Sequence, residues 1–250
     1  MIRNPRQEHL YKLVNKQGYC SVDELAEELD VSTQTIRRDI KKMSDVEMII
    51  RHHGGASSIS STVNLDFDIR KNTDVSKKDA IGKMVADSIP EGASLFLTIG
   101  TTTEAIAQHL VNKKNLQIMT NSVRIANLLY KHHDVVTPSG KIKAFNGGIV
   151  GSEAMNFISK FRFDYLITSA GSIDSDGSFL DYDMNEVEVV QMVKQNSRQT
   201  IVALDSTKFI PKGSIELFNI GDITTFFSDV EPPSSVSLVA KEHDVEVKVF

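Results

Sequence analysis

Residues 18–42 read Gly18-Tyr19-Cys20-Ser21-Val22-Asp23-Glu24-Leu25-Ala26-Glu27-Glu28-Leu29-Asp30-Val31-Ser32-Thr33-Gln34-Thr35-Ile36-Arg37-Arg38-Asp39-Ile40-Lys41-Lys42, and the chain runs on to Arg51-His52-His53-Gly54-Gly55-Ala56. Ser21 and Glu24 have the spacing of a capping box, in which each side chain satisfies a backbone donor of the other. Val22, Leu25, Ala26 and Leu29 then repeat at helical spacing. Asp30-Val31 breaks that pattern, and Ser32 caps a second helix, with Val31 and Ile36 placed as a hydrophobic staple. Ile36, Ile40 and Met43 share one face of the second helix. Gln34, Arg37, Arg38 and Lys41 fall on the opposite face, with Thr33 at its edge, while Asp39 dilutes the basic side. Two short helices with a tight turn and a polar second helix suit the major groove of DNA.

The residue types fit that reading. Gln and Arg can each form paired hydrogen bonds to a base edge. Ser32, Thr35 and Lys41 suit phosphate, as do the free amides at a helix start. Met48-Ile49-Ile50 reads as a strand, and Arg51-His52-His53-Gly54-Gly55 as a basic strand ending at a flexible tip. The assembly expected is a winged helix-turn-helix over residues 1–57. Its plain alternative is a solvated helix with a charged outer face.

Charge supports recognition only locally. Residues 1–56 hold nine Lys and Arg and nine Asp and Glu, so the net charge of −5 falls on residues 57–250. Acids crowd into Asp23–Asp30 and bases into Arg37–Lys42. An acidic body with one segregated basic helix repels DNA elsewhere, which disfavours a nucleoid-type binder needing many phosphate contacts.

At 250 residues and 40% hydrophobic content the chain fits a globular protein of one or two domains. The single Cys20 excludes an intrachain disulfide. The adjacent pairs His52-His53 and His132-His133 rarely aim both rings at one ion, so no metal site and no cofactor are expected. No apolar run approaches membrane-spanning length and no signal-peptide core is evident, so a cytoplasmic protein without membrane contact is expected.

Ser57-Ser58-Ile59-Ser60-Ser61-Thr62 reads as the start of a linker spanning 58–75. From residue 76 strands and helices alternate, which argues for a doubly wound α/β domain with a mostly parallel sheet over 76–250. Such sheets bind ligands at the carboxyl ends of their strands. Polar motifs cluster there: Thr98 with Gly100-Thr101-Thr102, Asn121-Ser122, Gly147-Gly148 before a helix, and Asp205-Ser206-Thr207-Lys208. Glycine admits backbone amides to an anion, hydroxyls donate to it, and Lys208 adds a lone cation. The set suits a phosphorylated small molecule. The alternative for each motif is an ordinary helix cap. Neither dinucleotide nor P-loop fingerprint is present.

Ser32-Thr33-Gln34-Thr35-Ile36-Arg37-Arg38-Asp39 followed by Arg51-His52-His53-Gly54-Gly55-Ala56 resembles the signature of the deoxyribose-operon repressor (DeoR) family. Gly100-Thr101-Thr102, Thr120-Asn121-Ser122, Gly147-Gly148, Ile173–Ser178 and Asp205–Phe209 resemble its sensor domain, so the likeness covers nearly the whole chain. Arg51–Ala56, Asp87–Phe96, Asn156–Asp164 and Ile173–Ser178 are most similar to the glycerol-3-phosphate-responsive members. The resemblance implies a winged helix-turn-helix joined to a sensor similar to ribose-5-phosphate isomerase. It also implies a homo-oligomer, dimer or tetramer, and induction by a sugar or polyol phosphate. The chain departs from the family at Thr98, where Asp is usual, and at Pro138-Ser139-Gly140, where Ala-Gly-Gly is usual. It departs again at Ser169 and Ser172, which are glycines in the most similar members.

The function expected is a repressor of a carbohydrate or polyol operon, with Gln34, Arg37 and Arg38 on bases. Ser32, Thr35, Lys41 and the wing, Arg51, His52 and His53, would lie on phosphates. An effector would bind at Thr98, Gly100, Thr101, Thr102, Asn121, Ser122, Gly147, Gly148 and Lys208. The alternatives are a different sugar phosphate, activation instead of repression, or an isomerase carrying an accessory DNA-binding domain. An isomerase needs a placed carboxylate base, for which Asp174, Glu186 and Asp205 are the candidates and Thr98 is unsuited, so no catalytic residue is assigned.

Overall fold

The computed structural model describes residues 4–17, 19–46, 48–52, 54–58 and 67–250. It divides into two compact units, Met1–Asp74 and Val75–Phe250.

The first unit begins with helix α1 (Pro5–Gln17) and strand β1 (Tyr19–Ser21), which lead into α2 (Val22–Glu28) and α3 (Thr33–Ser44). Strands β2 (Ile50–His52) and β3 (Gly55–Ser57) complete a three-stranded antiparallel sheet in the order β1-β3-β2. Helix α4 (Phe67–Asn72) lies in the stretch read as linker. The capping box forms: Ser21 N–H donates to Glu24 Oε2 at 2.7 Å and Glu24 N–H to Ser21 Oγ at 3.1 Å. Asp30 takes a left-handed conformation (φ 48°) and closes α2, with Asp30 N–H on Glu27 O and Val31 N–H on Ala26 O. That pair of bonds is a Schellman closure, and it sets the tight turn. Leu10, Val14, Val22, Leu25, Ile36, Ile40, Met43 and Ile49 form one buried cluster, against which Val31 packs.

Four expectations change here. Asp39 is 3% exposed, not on the basic face. The wing strand starts at Ile50, because Met48 N–H still bonds Met43 O and Ile49 is buried in the core. Gly55 is not a flexible tip but part of β3, where a Cβ would stand 2.2 Å from Cys20 O, so only glycine lets β3 approach β1 this closely. Ser57 and Ser58, read as linker, are buried, and Ser57 ends β3. His53 and residues 59–66 lie outside the described residues.

The second unit opens with α5 (Val75–Ser88), β4 (Ser94–Leu97), α6 (Thr101–Leu110), β5 (Gln117–Thr120), α7 (Val123–Leu129) and β6 (Asp134–Val136). It continues with α8 (Ser152–Ile158), β7 (Phe163–Thr168), the short β8 (Ser172–Ile173) and β9 (Ser178–Asp181), then α9 (Met184–Gln195) and β10 (Ser197–Leu204). Last come β11 (Ile215–Asn219), β12 (Thr225–Ser228), α10 (Ser234–Glu242) and β13 (Glu246–Val249). Seven strands form a parallel sheet in the order β13-β12-β10-β7-β4-β5-β6, and β11-β9-β8 form a small antiparallel sheet beside it.

Period-two alternation sorts the core. Leu95, Leu97, Ile167, Ile201, Ala203 and Phe227 pack with α5, α6 and α7. Phe96, Leu166, Val202 and Phe226 pack with α8, α9 and α10 on the other face. The strand order reverses between β4 and β7, and a crevice opens at such a switch point outside the strands' carboxyl ends.

Candidate functional site

Helix α3 has Ile36, Asp39, Ile40 and Met43 buried at i, i+3, i+4 and i+7. Burial of the three apolar side chains fixes the helix by roughly 1.5–3 kcal/mol each. Gln34, Arg37, Arg38 and Lys41 are thereby left exposed, and Lys42 joins them. The carboxylate that would oppose DNA is turned inward: Asp39 accepts from Arg6 Nε at 2.7 Å and from Gln7 Nε2 at 2.8 Å. Burial pushes Asp39 toward its neutral form. The hydrogen bonds from Arg6 and Gln7 and the Arg6 charge outweigh it and hold the carboxyl below its ordinary value.

At the head of α3, Thr35 N–H donates to Ser32 Oγ at 3.3 Å and the two hydroxyls meet at 2.9 Å. Thr33 is half-exposed. In the wing Arg51 is exposed, while His52 is half-buried, 2.8 Å from Ser57 Oγ and tilted against the Tyr19 ring at 5.8 Å. His52 therefore packs within the wing as well as lining it.

In the second unit the motifs do converge at the strand ends. Thr98, directly after β4, is 3% exposed, and its hydroxyl meets that of Thr168, the last residue of β7, at 2.9 Å across the switch point. Thr101 and Thr102 are buried in the first turn of α6. Gly100 caps that helix without a side chain, so its leading amides have no intrahelical acceptor. Ser122 caps α7 by accepting from Ile125 N–H at 3.3 Å and bridges to Gly148. Gly147 O accepts from Val123 N–H at 2.9 Å, and Gly148 packs against Ile99, where a Cβ would stand 2.3 Å from its Cδ1. The helix expected after these glycines begins only at Ser152. Asn121 is 1% exposed. Its Nδ2 donates to Ile149 O at 3.2 Å, while among the described residues its Oδ1 has no hydrogen-bond partner. The buried Ser228 Oγ, at the end of β12, is in the same condition.

Lys208 is not a lone cation. Asp205 caps the 3₁₀ turn that holds it, accepting from Thr207 N–H at 3.0 Å. Burial works against the Asp205 charge, yet Lys208, the Thr207 bonds and the buried Lys78 keep its carboxyl below the ordinary value. Lys77 reaches Ser206 Oγ at 2.9 Å and Asp229 at 3.2 Å. Lys143 bonds Asp183 at 2.6 Å and also Glu186, which accepts from Asn146 at 2.8 Å. Burial opposes the Lys143 charge, but the two carboxylates hold the ammonium above its usual value.

Sequence reasoning missed Lys77, Lys78, Lys143, Asp183 and Thr168. Lys77 and Lys78 could have been found, since helices that precede parallel strands start at the strands' carboxyl ends. Lys143 and Glu186, 43 positions apart, share no local signal. Among the described residues no three His, Cys, Asp or Glu side chains group to hold a metal ion, and no helix is long and apolar enough to cross a membrane.

Residues 6–62 match the DeoR-like helix-turn-helix domain, and residues 73–230 match the DeoR C terminal sensor domain. The HTH-type transcriptional repressor CsqR of Escherichia coli (strain K12) is 42% identical over 98% of this chain and 94% of its own. The glycerol-3-phosphate regulon repressor of the same strain is 38% identical over the whole of both chains. That of Haemophilus influenzae is 41% identical over 97% of this chain and 95% of its own. Among solved structures, ribose 5 phosphate isomerase A from Neisseria gonorrhoeae aligns over 52% of each chain with a TM-score of 0.40 and 16% identity. The architecture itself rests on the strand order above, and the full-length matches decide the family: the chain belongs to the DeoR family, with a DeoR-like helix-turn-helix domain followed by a DeoR sensor domain.

Proposed function

We propose that this chain is a transcriptional repressor whose α3 and wing hold double-stranded operator DNA, and whose second unit releases the operator when a phosphorylated sugar or polyol binds. The observation that carries the DNA half is the inward turn of Asp39, which leaves Gln34, Arg37, Arg38 and Lys41 as an acid-free exposed face. Gln34, Arg37 and Arg38 read bases; Ser32, Thr33, Thr35, Lys41 and Arg51 engage phosphates, with His52 supporting the wing. Relatives matched along their full length are regulators of transcription, and this chain is a regulator, not an enzyme.

The effector half rests on chemistry at one edge of one sheet. The uncapped start of α6 at Gly100-Thr101-Thr102 and the cation Lys208 suit an anionic group. Asn121 Oδ1, buried without a donor, suits a ligand hydroxyl, and Thr98, Ser122, Gly147 and Gly148 shape the space between. Ligand binding favours an arrangement that fits the operator less well, a coupling between two sites of typically about 1–3 kcal/mol. A homo-oligomer would bind two half-sites. Two of the relatives are named for glycerol-3-phosphate, so that ester is the first to try.

The test is a thermal-shift panel of glycerol-3-phosphate, ribose-5-phosphate and fructose-6-phosphate on the full chain, followed by operator gel shifts with each stabilising ligand. A ligand that binds only the folded state raises its stability. The reading fails if the chain shows no preference for DNA of any sequence from its own operon, or if stabilising phosphates leave the operator complex intact.

A further inference from the structure

We propose that Lys212, on the segment joining β10 to β11, is a second anion-binding residue that completes with Lys208 a two-cation cradle for a doubly charged phosphate group. The proposal rests on the effector reading above and adds to it a residue and a charge preference.

The segment is pinned. Lys212 N–H donates to Ser172 Oγ at 2.8 Å, and the Ser172 hydroxyl donates back to Lys212 O, so one buried serine holds both backbone groups of this residue. Gly213 follows in a left-handed conformation (φ 98°), where a Cβ would stand 2.8 Å from Asp181 O, and Ser214 N–H bonds that same oxygen at 3.1 Å. Ser172 lies four residues past Thr168, the end of β7, and Lys208 lies four residues past Leu204, the end of β10. Those strands are neighbours in the sheet. Both lysines therefore come over the same pair of strand ends, beside the switch point where Thr98 meets Thr168.

The electrostatics of this placement are unfavourable in the free protein. Lys212 is half-buried, and among the described residues its ammonium has no hydrogen-bond or ion-pair partner. Burial and then the nearby Lys208 charge push it down to about 8. The charges that act on Asp205 are those of Lys208 and Lys78, while burial and Lys208 alone act on Lys212. A folded chain that fixes a half-buried cation beside another cation is prepared for an anion. A dianion gives Lys212 a counter-charge and adds to that of Asp205 at Lys208; a neutral polyol gives none.

The proposal predicts proton uptake. Near pH 8 the free Lys212 is only partly protonated, and an adjacent dianion favours its charged form, so binding takes up a fraction of a proton per site. A phosphate monoester contributes none of this, since its second ionisation, near pH 6, is already complete. Calorimetry in two buffers of different ionisation enthalpy measures the uptake. Wild type, Lys212→Met and Lys212→Arg are titrated with glycerol-3-phosphate, ribose-5-phosphate and inorganic phosphate.

The expected result is an affinity at least tenfold lower in Lys212→Met, with the uptake gone. Lys212→Arg should regain most of the affinity without the uptake, because arginine is charged throughout. Unliganded Lys212→Met should melt no lower than wild type, which separates loss of the anion contact from loss of fold. If the esters bind wild type and Lys212→Met with equal affinity and equal uptake, the role of Lys212 is overturned while the effector reading stands. If no phosphate binds wild type, both fall together.

Discussion

Arg6 Nε and Asp39 Oδ2 lie 2.7 Å apart, tying α1 to the buried side of α3. The pair removes a carboxylate from the exposed face of α3 and at the same time orients that helix. Replacing Asp39 by Asn leaves Arg6 without its charge partner and should destabilise the first unit by about 1–3 kcal/mol. The lower end is expected, because the Arg6 side chain is 32% exposed and water can take over part of the loss. Since the Asp39 carboxyl is held below its ordinary value, its contribution is present above the usual carboxylate range and is lost as pH falls through the lowered value. Protection of the α1 amides in the full chain, taken relative to the intrinsic exchange rate at each pH, should therefore fall on acidification more steeply in wild type than in Asp39→Asn. Parallel curves would show that the pair does not couple protonation to this helix.

Arg37 is exposed on α3, away from Ile36, Ile40 and Met43. Arg37→Ala should leave the fold intact and lower the preference for operator over random DNA by about 1–3 kcal/mol, the value of one paired base contact. Lys41→Ala should instead weaken both DNAs alike and flatten the salt dependence by about one charge. Gel shifts at two salt concentrations separate the two. An unchanged operator preference in Arg37→Ala removes α3 as the reading helix.

Cys20 is buried in β1, and burial, with the Glu24 charge, pushes its thiol up to about 11. At pH 8 only about one thiol in a thousand is ionised. A thiol reagent should label the native chain far more slowly than the urea-unfolded one, with a rate set by local opening. Fast labelling of the native chain would mean that the β1–β3 contact opens readily.

The reach of the sequence differs between the two units for a physical reason. Caps, helical period and the turn at Asp30-Val31 are local, so α2 and α3 could be read from residues within a few positions of one another. Asp39 could not be placed by charge alone: its inward turn depends on Arg6 and Gln7, more than thirty positions away. Strand ends announced Gly100, Asn121 and Asp205, because in a parallel sheet polar residues follow each strand. The small sheet of β8, β9 and β11 was missed, its strands being short and pieced together across some forty residues. Which groups meet near the strand ends, such as the side chains of Lys143 and Glu186 or the backbone of Lys212 and the Ser172 hydroxyl, is decided by strand order, and no single window of sequence contains that order.

Thr98 offers the sharpest test of the effector reading, because it stands buried at the switch point between β4 and β7. Its hydroxyl is buried and already bonded to Thr168 at 2.9 Å. In Thr98→Asp the Thr168 hydroxyl can donate to the carboxylate only by giving up its bond to Ser169 O at 3.1 Å, and further acceptor positions stay unfilled in a buried place. The free variant should therefore be less stable by about 1–3 kcal/mol. A polyol phosphate whose hydroxyls reach the carboxylate would recover that loss and more, since a hydrogen bond to a charged group is worth about 1.5–3 kcal/mol, and about 1.4 kcal/mol is tenfold in affinity. The expected pattern is a lower melting temperature without ligand, a larger upward shift with glycerol-3-phosphate than wild type shows, and a tighter dissociation constant by calorimetry. If Thr98 only closes the turn after β4, the melting temperature should fall while the ratio of affinities for glycerol-3-phosphate and fructose-6-phosphate stays where wild type has it. That unchanged ratio would take Thr98 out of ligand choice and leave its partnership with Thr168 as a structural tie across the switch point.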